Sequence, residues 1–446
     1  MPNPEPLELL ADLLRRAKAA GADAADALYS ESDALSHSQR LGKIEKLERA
    51  EARDLGLRVF IGKRQASVSS TELTPAAIAA LAERAVAMAR AVPEDEFCGL
   101  AEPGEIATAA PAIDMFDPAE PPAEQLIQRA RAAEDAARAV PGVTNSEGAE
   151  ATWGATRLWL SASNGFNGHY RRSSHSVSAS VIAGEGTSME RDYEWHSAVH
   201  GRDLEDPAAV GRRAGERAVK RLKPRKAATA KVPVIFDPRV SSGLVGSLMN
   251  AINGAAVARG TSFLKDKMGE QVMAPGIRIV DDPLRPRGLR SKPFDGEGLE
   301  ARRLDVVEDG RLACWLLDLR SARQLKLRSN GRATRGSSGP PSPSATNVHL
   351  EKGKVTRAAL LAGVERGLYV NEMIGFGVNL ITGDYSRGAT GFWIENGELA
   401  YPVSEITIAG NLNDMFRAIT PADDLVFRYG VNAPTLRVDG MTVAGA

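Results

Sequence analysis

Four of the six histidines fall between positions 169 and 200: His169, His175, His196 and His200. Imidazole is a common metal ligand and the side chain best placed to move protons near neutral pH. His196-Ser-Ala-Val-His200 has the i, i+4 spacing that sets two imidazoles on one helix face. The surrounding residues alternate as a strand does, however, and four strand residues span about 13 Å, too far for one metal ion. No Glu follows His196 to act as a base, as a His-Glu-x-x-His helix requires. These histidines are therefore expected on the solvent- or partner-facing side of a sheet. Ser262 and Lys265 form a Ser-x-x-Lys pair. Its hydrolytic use needs Ser-Asp-Asn and Lys-Thr-Gly companions, which this sequence lacks. Gly-x-Ser-x-Gly, a Walker A loop and Gly-x-Gly-x-x-Gly after a strand are also missing. Those gaps remove the usual signals for α/β-hydrolase chemistry and nucleotide binding.

A different kind of candidate is the segment GLVGSLMNAINGAAVARGTS, residues 243–262. No charged residue stands between Arg239 and Arg259. Leu244, Leu248, Ile252 and Ala255 recur at helical spacing and predict an apolar face. Gly243, Ser247, Asn250 and Gly254 trace a second, small and polar face that would let another backbone approach closely. A buried Asn there would need hydrogen-bond partners.

The elements that must position these residues are bounded by the totals. At 446 residues the chain is expected to hold more than one domain. Its 43% apolar and 25% charged residues suit an ordinary soluble fold. A net charge of −1 offers no global attraction to nucleic acid or anionic membrane. The basic clusters at 220–231 and 285–292 lie near Asp or Glu and lack interleaved aromatics, so they read as solvated charge. Two distant cysteines, Cys98 and Cys314, exclude a disulfide framework and fit a reducing, cytoplasmic setting. The N-terminal MPNPEPLELLADLLRR has no basic n-region and is not expected to be a signal peptide. Residues 240–258 hold too much Ser, Asn and Gly for a membrane span.

Helices are expected over 6–20, from the Thr74-Pro75 start to about 91, over 123–140 and over 207–222. A hairpin turns at Gly62-Lys63, and three or four antiparallel strands fill 143–200 around an Asn164-Gly165 turn. Residues 223–233 (KPRKAATAKVP) read as a linker. Beyond it come a strand, the 243–262 helix, hairpins at Asp309-Gly310 and Asn396-Gly397, and a flexible Gly/Ser/Pro loop at 333–346. Short helices over 356–366 and 413–418 and a closing strand pair complete the chain. The fold class is α+β. Residues 1–222 form an N-terminal domain of helices plus antiparallel sheet. Residues 234–446 form a β-rich, barrel- or sandwich-like domain.

The blocks TSFLKDKMGEQV, SKPFDGEGL, LLDLRSARQLKLRSNGRA, ITGDYSRGATGFWIENGELAYPVSEITIAGNLNDMF and PTLRVDGMTVAG occur in one order over about 232–446. Together they resemble the TldD/PmbA family and, within it, the PmbA (TldE) branch. The first half resembles it more loosely. The resemblance implies a cytoplasmic two-subunit metalloprotease acting on unfolded or extended peptides. The TldD subunit's zinc helix carries His-Glu-x-x-x-His followed by Arg-Gly-Thr-Ser, with a cysteine near the C-terminus as a further ligand. Here Arg259-Gly260-Thr261-Ser262 matches the second element. Counting back without a gap sets the zinc motif on Val245 to Asn250, with Val245, Gly246 and Asn250 where His, Glu and His would stand. The late cysteine is absent too.

A catalytic zinc needs three protein ligands and an open position for water. No catalytic or metal residue is therefore carried over, and zinc is expected in a TldD-like partner. The resemblance implies a non-catalytic subunit, a homodimer possible when it is alone, and no membrane role. It also carries a regulatory alternative, a DNA gyrase modulator, although nothing in the sequence favours nucleic-acid binding. The Gly375–Asn396 block, with Asp384, Tyr385 and Arg387, and the 333–346 loop are expected to face the partner or a chamber.

Overall fold

The structure, a computed structural model, describes residues 5–445. Residues 1–4, part of the stretch read as lacking a signal peptide, lie outside the described residues. In the N-terminal half the order is α1 (Pro6–Ala19), β1 (Ala24–Arg40), β2 (Lys43–Ile61), β3 (Arg64–Ser70), α2 (Pro75–Ala91), α3 (Ala123–Arg138), β4 (Val143–Ala162), β5 (Asn167–Ala183), β6 (Glu190–Ala198) and α4 (Pro207–Lys220). The strands form one antiparallel sheet in the order β3-β2-β1-β4-β5-β6. Helix starts follow the local chemistry: the Thr74 hydroxyl accepts from the Ala77 N–H, and Asp206 caps α4 ahead of Pro207.

All four helices cover one face of this sheet. Ala25, Ala27 and Tyr29 of β1, with Leu55, Leu57 and Val59 of β2, pack in the core of α1 and α2. Leu35 of β1, with Ala151, Trp153, Val177 and Ala179, packs in the core of α3 and α4. Tyr29 and Leu35 share parity along β1, which places both cores on the same side.

The second half runs β7 (Ala230–Phe236), α5 (Pro238–Ala251), α6 (Gly254–Ala258), β8 (Ile279–Asp281), β9 (Leu304–Glu308), β10 (Arg311–Leu312), α7 (Leu319–Gln324), β11 (Ala333–Thr334), β12 (Ser342–Pro343), β13 (Val348–Leu350), α8 (Arg357–Ala362), β14 (Arg366–Ile374), β15 (Asp384–Glu395), β16 (Glu398–Asn411), α9 (Leu412–Arg417), β17 (Ile419–Pro421), β18 (Val431–Asn432) and β19 (Leu436–Ala444). β16, β15, β14, β7 and β19 follow one another as neighbours, and β19 pairs back onto β16 through Ile408↔Val443. The ring closes into a five-stranded barrel, which removes its free edges. A second sheet, β10-β9-β8-β13-β18, packs into the same core. The hairpins turn at Asp309-Gly310 and Asn396-Gly397 as expected, all four residues having positive φ.

Three expectations need correction. The closing strand pair is one strand, β19, whose register shifts between Val438 and Met441, so a bulge was read as a turn. The 333–346 loop is anchored at both ends by β11 and β12, and between them it meets the N-terminal sheet. A Cβ on Gly56 would stand 2.3 Å from the Ser337 carbonyl oxygen, so only glycine allows that approach. The stretch read as a linker is also held: the Arg225 N–H donates to Pro402, Ala227 is buried, and β7 begins at Ala230.

The uncovered face of the N-terminal sheet meets the second half. Leu28, Leu160 and Phe166 pack against Phe294, whose ring meets Phe166 edge-on at 5.0 Å. Beside them Asp26, 2% exposed, accepts from Arg58 of β2 and from Arg335 of the 333–346 loop. Burial pushes the Asp26 pKa up, but the two guanidiniums outweigh it and hold the carboxyl below its usual range. Asp192, fully buried, accepts from Arg239 of α5 at 2.8 Å and from Arg221 at 3.3 Å.

Removing one partner from such a set leaves buried charge unpaired. Asp26→Ala is expected to cost about 3–5 kcal/mol in urea denaturation. A loss under about 1 kcal/mol would show that Arg58 and Arg335 find other partners. Glu297, also buried, lies 3.9 Å from Arg58. Burial, only partly opposed by Arg58, pushes its pKa up from 4.5 to about 8. The folded chain then holds this proton more tightly than the unfolded chain, so stability falls as pH rises through that window. Glu297→Gln, which has no proton to lose, is expected to flatten the urea midpoint between about pH 4.5 and 8. An unchanged slope would mean that Glu297 contributes none of it.

Candidate functional site

Helix α5 starts where the sequence provides for it. Pro238 takes the first helical position, and the Asp237 carboxylate accepts from the Arg239 N–H at 3.0 Å. Leu244, Val245, Leu248 and Met249 point into the C-terminal core. The opposite face carries Gly243, Ser247 and Asn250, with Gly246 at its border. A Cβ at Gly243 or Gly246 would meet no heavy atom within 4 Å. The small polar face therefore adjoins open space and does not pack against a neighbouring backbone.

The expected single helix is two. α5 ends at Ala251, and Asn253 caps α6 by accepting from the N–H groups of Ala255 and Ala256. The Asn253 amide also donates to Pro343 at 2.8 Å. Close backbone approach occurs here: the Gly254 N–H donates to Leu316 at 2.8 Å, and a Cβ on Gly254 would stand 2.6 Å from that oxygen. A side-chain cap competes locally with helix continuation, and here the second strand of contacts at Leu316 decides for the cap.

The Arg259-Gly260-Thr261-Ser262 element ties the two helices together. Gly260 turns with φ +74, the Thr261 hydroxyl donates to Ala256, and the buried Ser262 hydroxyl donates to Ala251, the last residue of α5. Ser262 also accepts from the Leu264 N–H at 3.0 Å. Its oxygen is thus a structural cap, while Lys265 is exposed. The pair does not form a nucleophile and base.

At the positions where the resemblance sets zinc ligands, Val245 is 2% exposed and Asn250 is on the surface. Five helical residues turn the chain by about 500°, which puts these two positions on different faces. Val245 and Gly246 carry no donor atom, and Asn250 offers only a neutral amide. These residues do not fit zinc.

The four histidines separate. His169 is exposed on β5 opposite Trp159. His196 accepts from the Glu205 N–H at 3.2 Å. His175 and His200 are buried, contrary to the solvent- or partner-facing expectation. The acidic 92–122 loop folds over them. Asp117 lies 3.3 Å from the His175 ring, and Asp114 binds His200 at 2.6 Å. Arg287 then grips Asp114 at 2.7 Å and Asp203 at 2.8 Å, joining the halves. Burial, with help from Arg129, lowers the His175 pKa against the pull of Asp117. The carboxylates come from a distant loop, so strand periodicity around the histidines carried no sign of them.

Asp384, Tyr385 and Arg387 begin β15 but do not share one surface. Asp384 is exposed and accepts from the Thr382 hydroxyl and the Asn411 amide. Tyr385 is buried in the core, and burial pushes its phenol up to about 12. Arg387 is half-buried. What the reading of these polar residues missed is the apolar tip just before them. Phe376 is fully exposed, as are most of Ile374 and Ile381. The tip is held in place: the Phe263 N–H, next to the Arg-Gly-Thr-Ser element, donates to Leu380 at 2.8 Å, and the Asn379 N–H donates to Asp384. The apolar run MIGFGVNLI, which the structure sets between β14 and β15, was the available signal.

Family models for the PmbA/TldA metallopeptidase match in chain order: domain 1 over 25–89, the central domain over 116–222 and the C-terminal domain over 229–445. The chain is 39% identical to Metalloprotease PmbA of Escherichia coli O157:H7, over 95% of this chain and 92% of that one. It is 36% identical to a Metalloprotease PmbA homolog of Haemophilus influenzae, over 96% and 93%. The crystal structure of a putative modulator of DNA gyrase from Bacteroides thetaiotaomicron matches with TM-score 0.91 and 26% identity over 100% of both chains. TldE from Thermococcus kodakarensis matches with TM-score 0.88 over 98% of this chain and 100% of that one, and at 21% identity it shows the fold alone. With all three domain models matched in order and relatives this similar over more than nine tenths of its length, the chain belongs to the PmbA/TldA metallopeptidase family.

Proposed function

We propose that this chain is the zinc-free subunit of a TldD/TldE-type protease, working in the cytoplasm with a zinc-bearing subunit on unfolded or extended peptides. The observation that supports this reading is α5 itself. The helix and its Arg-Gly-Thr-Ser tie are intact, while the positions for ligands and base hold Val245, Gly246 and Asn250. The role left to this chain is to shape the enclosure, not to activate water. The exposed tip at Ile374, Phe376 and Ile381, joined to that tie through Phe263, suits a partner surface, since aromatic anchors dominate protein contacts. Free Cys98 and Cys314 agree with a reducing compartment. Among the described residues no helix is long and apolar enough to cross a membrane.

The purified chain is expected to hold only substoichiometric zinc and to leave an unstructured peptide uncut. Cutting should appear when a zinc-bearing TldD-like subunit is added. Stoichiometric zinc, or cleavage by the chain alone, would overturn the proposal. A gel shift at low salt addresses the regulatory alternative, and retention of DNA would count for it.

Reinstalling imidazoles should also separate the two positions. Val245→His buries a polar ring in a packed core and is expected to cost about 2–4 kcal/mol of stability. Asn250→His, on the surface, should stay within about 0.5 kcal/mol. Equal costs in chemical denaturation would contradict the divergent faces described above.

A further inference from the structure

Arg285 stands in the loop after β8, and it lines a pocket of about 230 Å³ between the two halves of the chain. His196 and Val199, at and just past the end of β6, form one wall, and Leu289, Phe427 and Tyr429 belong to the other. Two further arginines on these walls are already paired. Arg287 donates to Asp114 at 2.7 Å and to Asp203 at 2.8 Å, and Arg428 donates to Glu205 at 3.1 Å. Arg285 differs from both. No carboxylate of the described residues lies within 4.0 Å of its guanidinium, and none of its N–H groups has an acceptor among them. It is half-buried, burial lowers its pKa, and Asp282 opposes that only at longer range.

Phe427 holds this unpaired charge in position. The guanidinium carbon of Arg285 sits 3.3 Å from the centre of the Phe427 ring. An edge-on guanidinium could not come so close without driving a nitrogen into the ring, so the group lies flat on it. Its donors then radiate in the guanidinium plane, where a carboxylate can meet two of them side by side. The His349 ring meets the same phenylalanine edge-on at 5.0 Å and steadies it. His196 supplies another donor. Its Nδ1 accepts the Glu205 N–H at 3.2 Å, so the neutral ring carries its proton on Nε2. That N–H has no acceptor among the described residues and is open to solvent.

We propose that this pocket binds a small organic acid as its carboxylate, held by the free edge of Arg285 and the Nε2–H of His196, with its apolar part against Val199 and Leu289. A dehydrated cation without a partner is costly, and a bound anion removes that cost. The pocket is smaller than the roughly 300–1,000 Å³ that encloses a drug-sized ligand, so its occupant is small. One unpaired guanidinium offers one positive charge, and the Asp203 carboxylate on the same wall opposes a second negative charge. A monoanion therefore suits the pocket better than a phosphate dianion.

This inference does not rest on the protease reading, which uses none of these residues. Equilibrium dialysis of labelled benzoate against the full chain in low-chloride buffer tests it. One benzoate per chain is expected, with Kd about 1 mM or tighter. Benzamide has the same shape without the charge and should bind at least about tenfold more weakly. Arg285→Gln should weaken benzoate binding at least about tenfold. Phe427→Leu keeps the charge but removes its platform and should weaken binding about threefold. Because both halves line the pocket, saturating benzoate should raise the melting temperature of the wild type and leave that of R285Q unchanged. The benzamide comparison uses the wild-type chain alone and does not depend on how the variants fold. Benzamide binding as tightly as benzoate would overturn the proposal. So would benzoate affinity untouched by R285Q, no binding up to about 10 mM, or inorganic phosphate displacing benzoate at equal concentration.

Discussion

The structure depends on buried carboxylates of the N-terminal sheet meeting arginines from the other half of the chain. Asp26 is held by Arg335, Asp192 by Arg239, and Glu194 lies near Arg428. Ion pairs of this kind add little net stability, because dehydration offsets the attraction. Their effect is on alternatives: any other docking of the two halves strands a charge in a dry seam. Phe294 between Phe166 and Tyr170 supplies the apolar burial that favours association, and the arginines specify its geometry. Because Arg239 sits in the first turn of α5, the same constraint fixes that helix against the N-terminal sheet.

The C-terminal barrel holds α5 in place through its apolar face. Leu244, Val245 and Leu248 belong to the core that the closed ring β16-β15-β14-β7-β19 surrounds. Ser262 fastens the helix end at Ala251, and Asp237 fastens its start. None of these contacts uses the outer face with Gly243, Ser247 and Asn250. Of the three positions set by the resemblance, Asn250 alone lies on that outer face, whereas Val245 belongs to the core.

Most helices were legible from local signals. Thr74-Pro75, Asp206-Pro207 and Thr356 cap helices as their residue types require, and the Asn-Gly and Asp-Gly turns close the hairpins expected of them. β1 went unread, since Ser, Asp and Glu stand on both of its faces and dilute the alternation. The break at Asn253 was hidden because Ile252 and Ala255 continue the helical spacing across it. Asp384, Tyr385 and Arg387 looked alike as polar or amphipathic residues in a Gly-rich block. Strand alternation then buried Tyr385 and left Asp384 outside.

By itself the sequence determined the α+β class, the capped helices and the lack of zinc donors at Val245 and Gly246, because each follows from residue identity and near neighbours. Tertiary structure decided what depends on residues far apart in the chain. It closed the barrel through β16 and β19, brought Asp114 and Asp117 to His200 and His175, and docked Arg335 on Asp26. Burial and charge pairing are properties of the assembled solid, and no local pattern carries them.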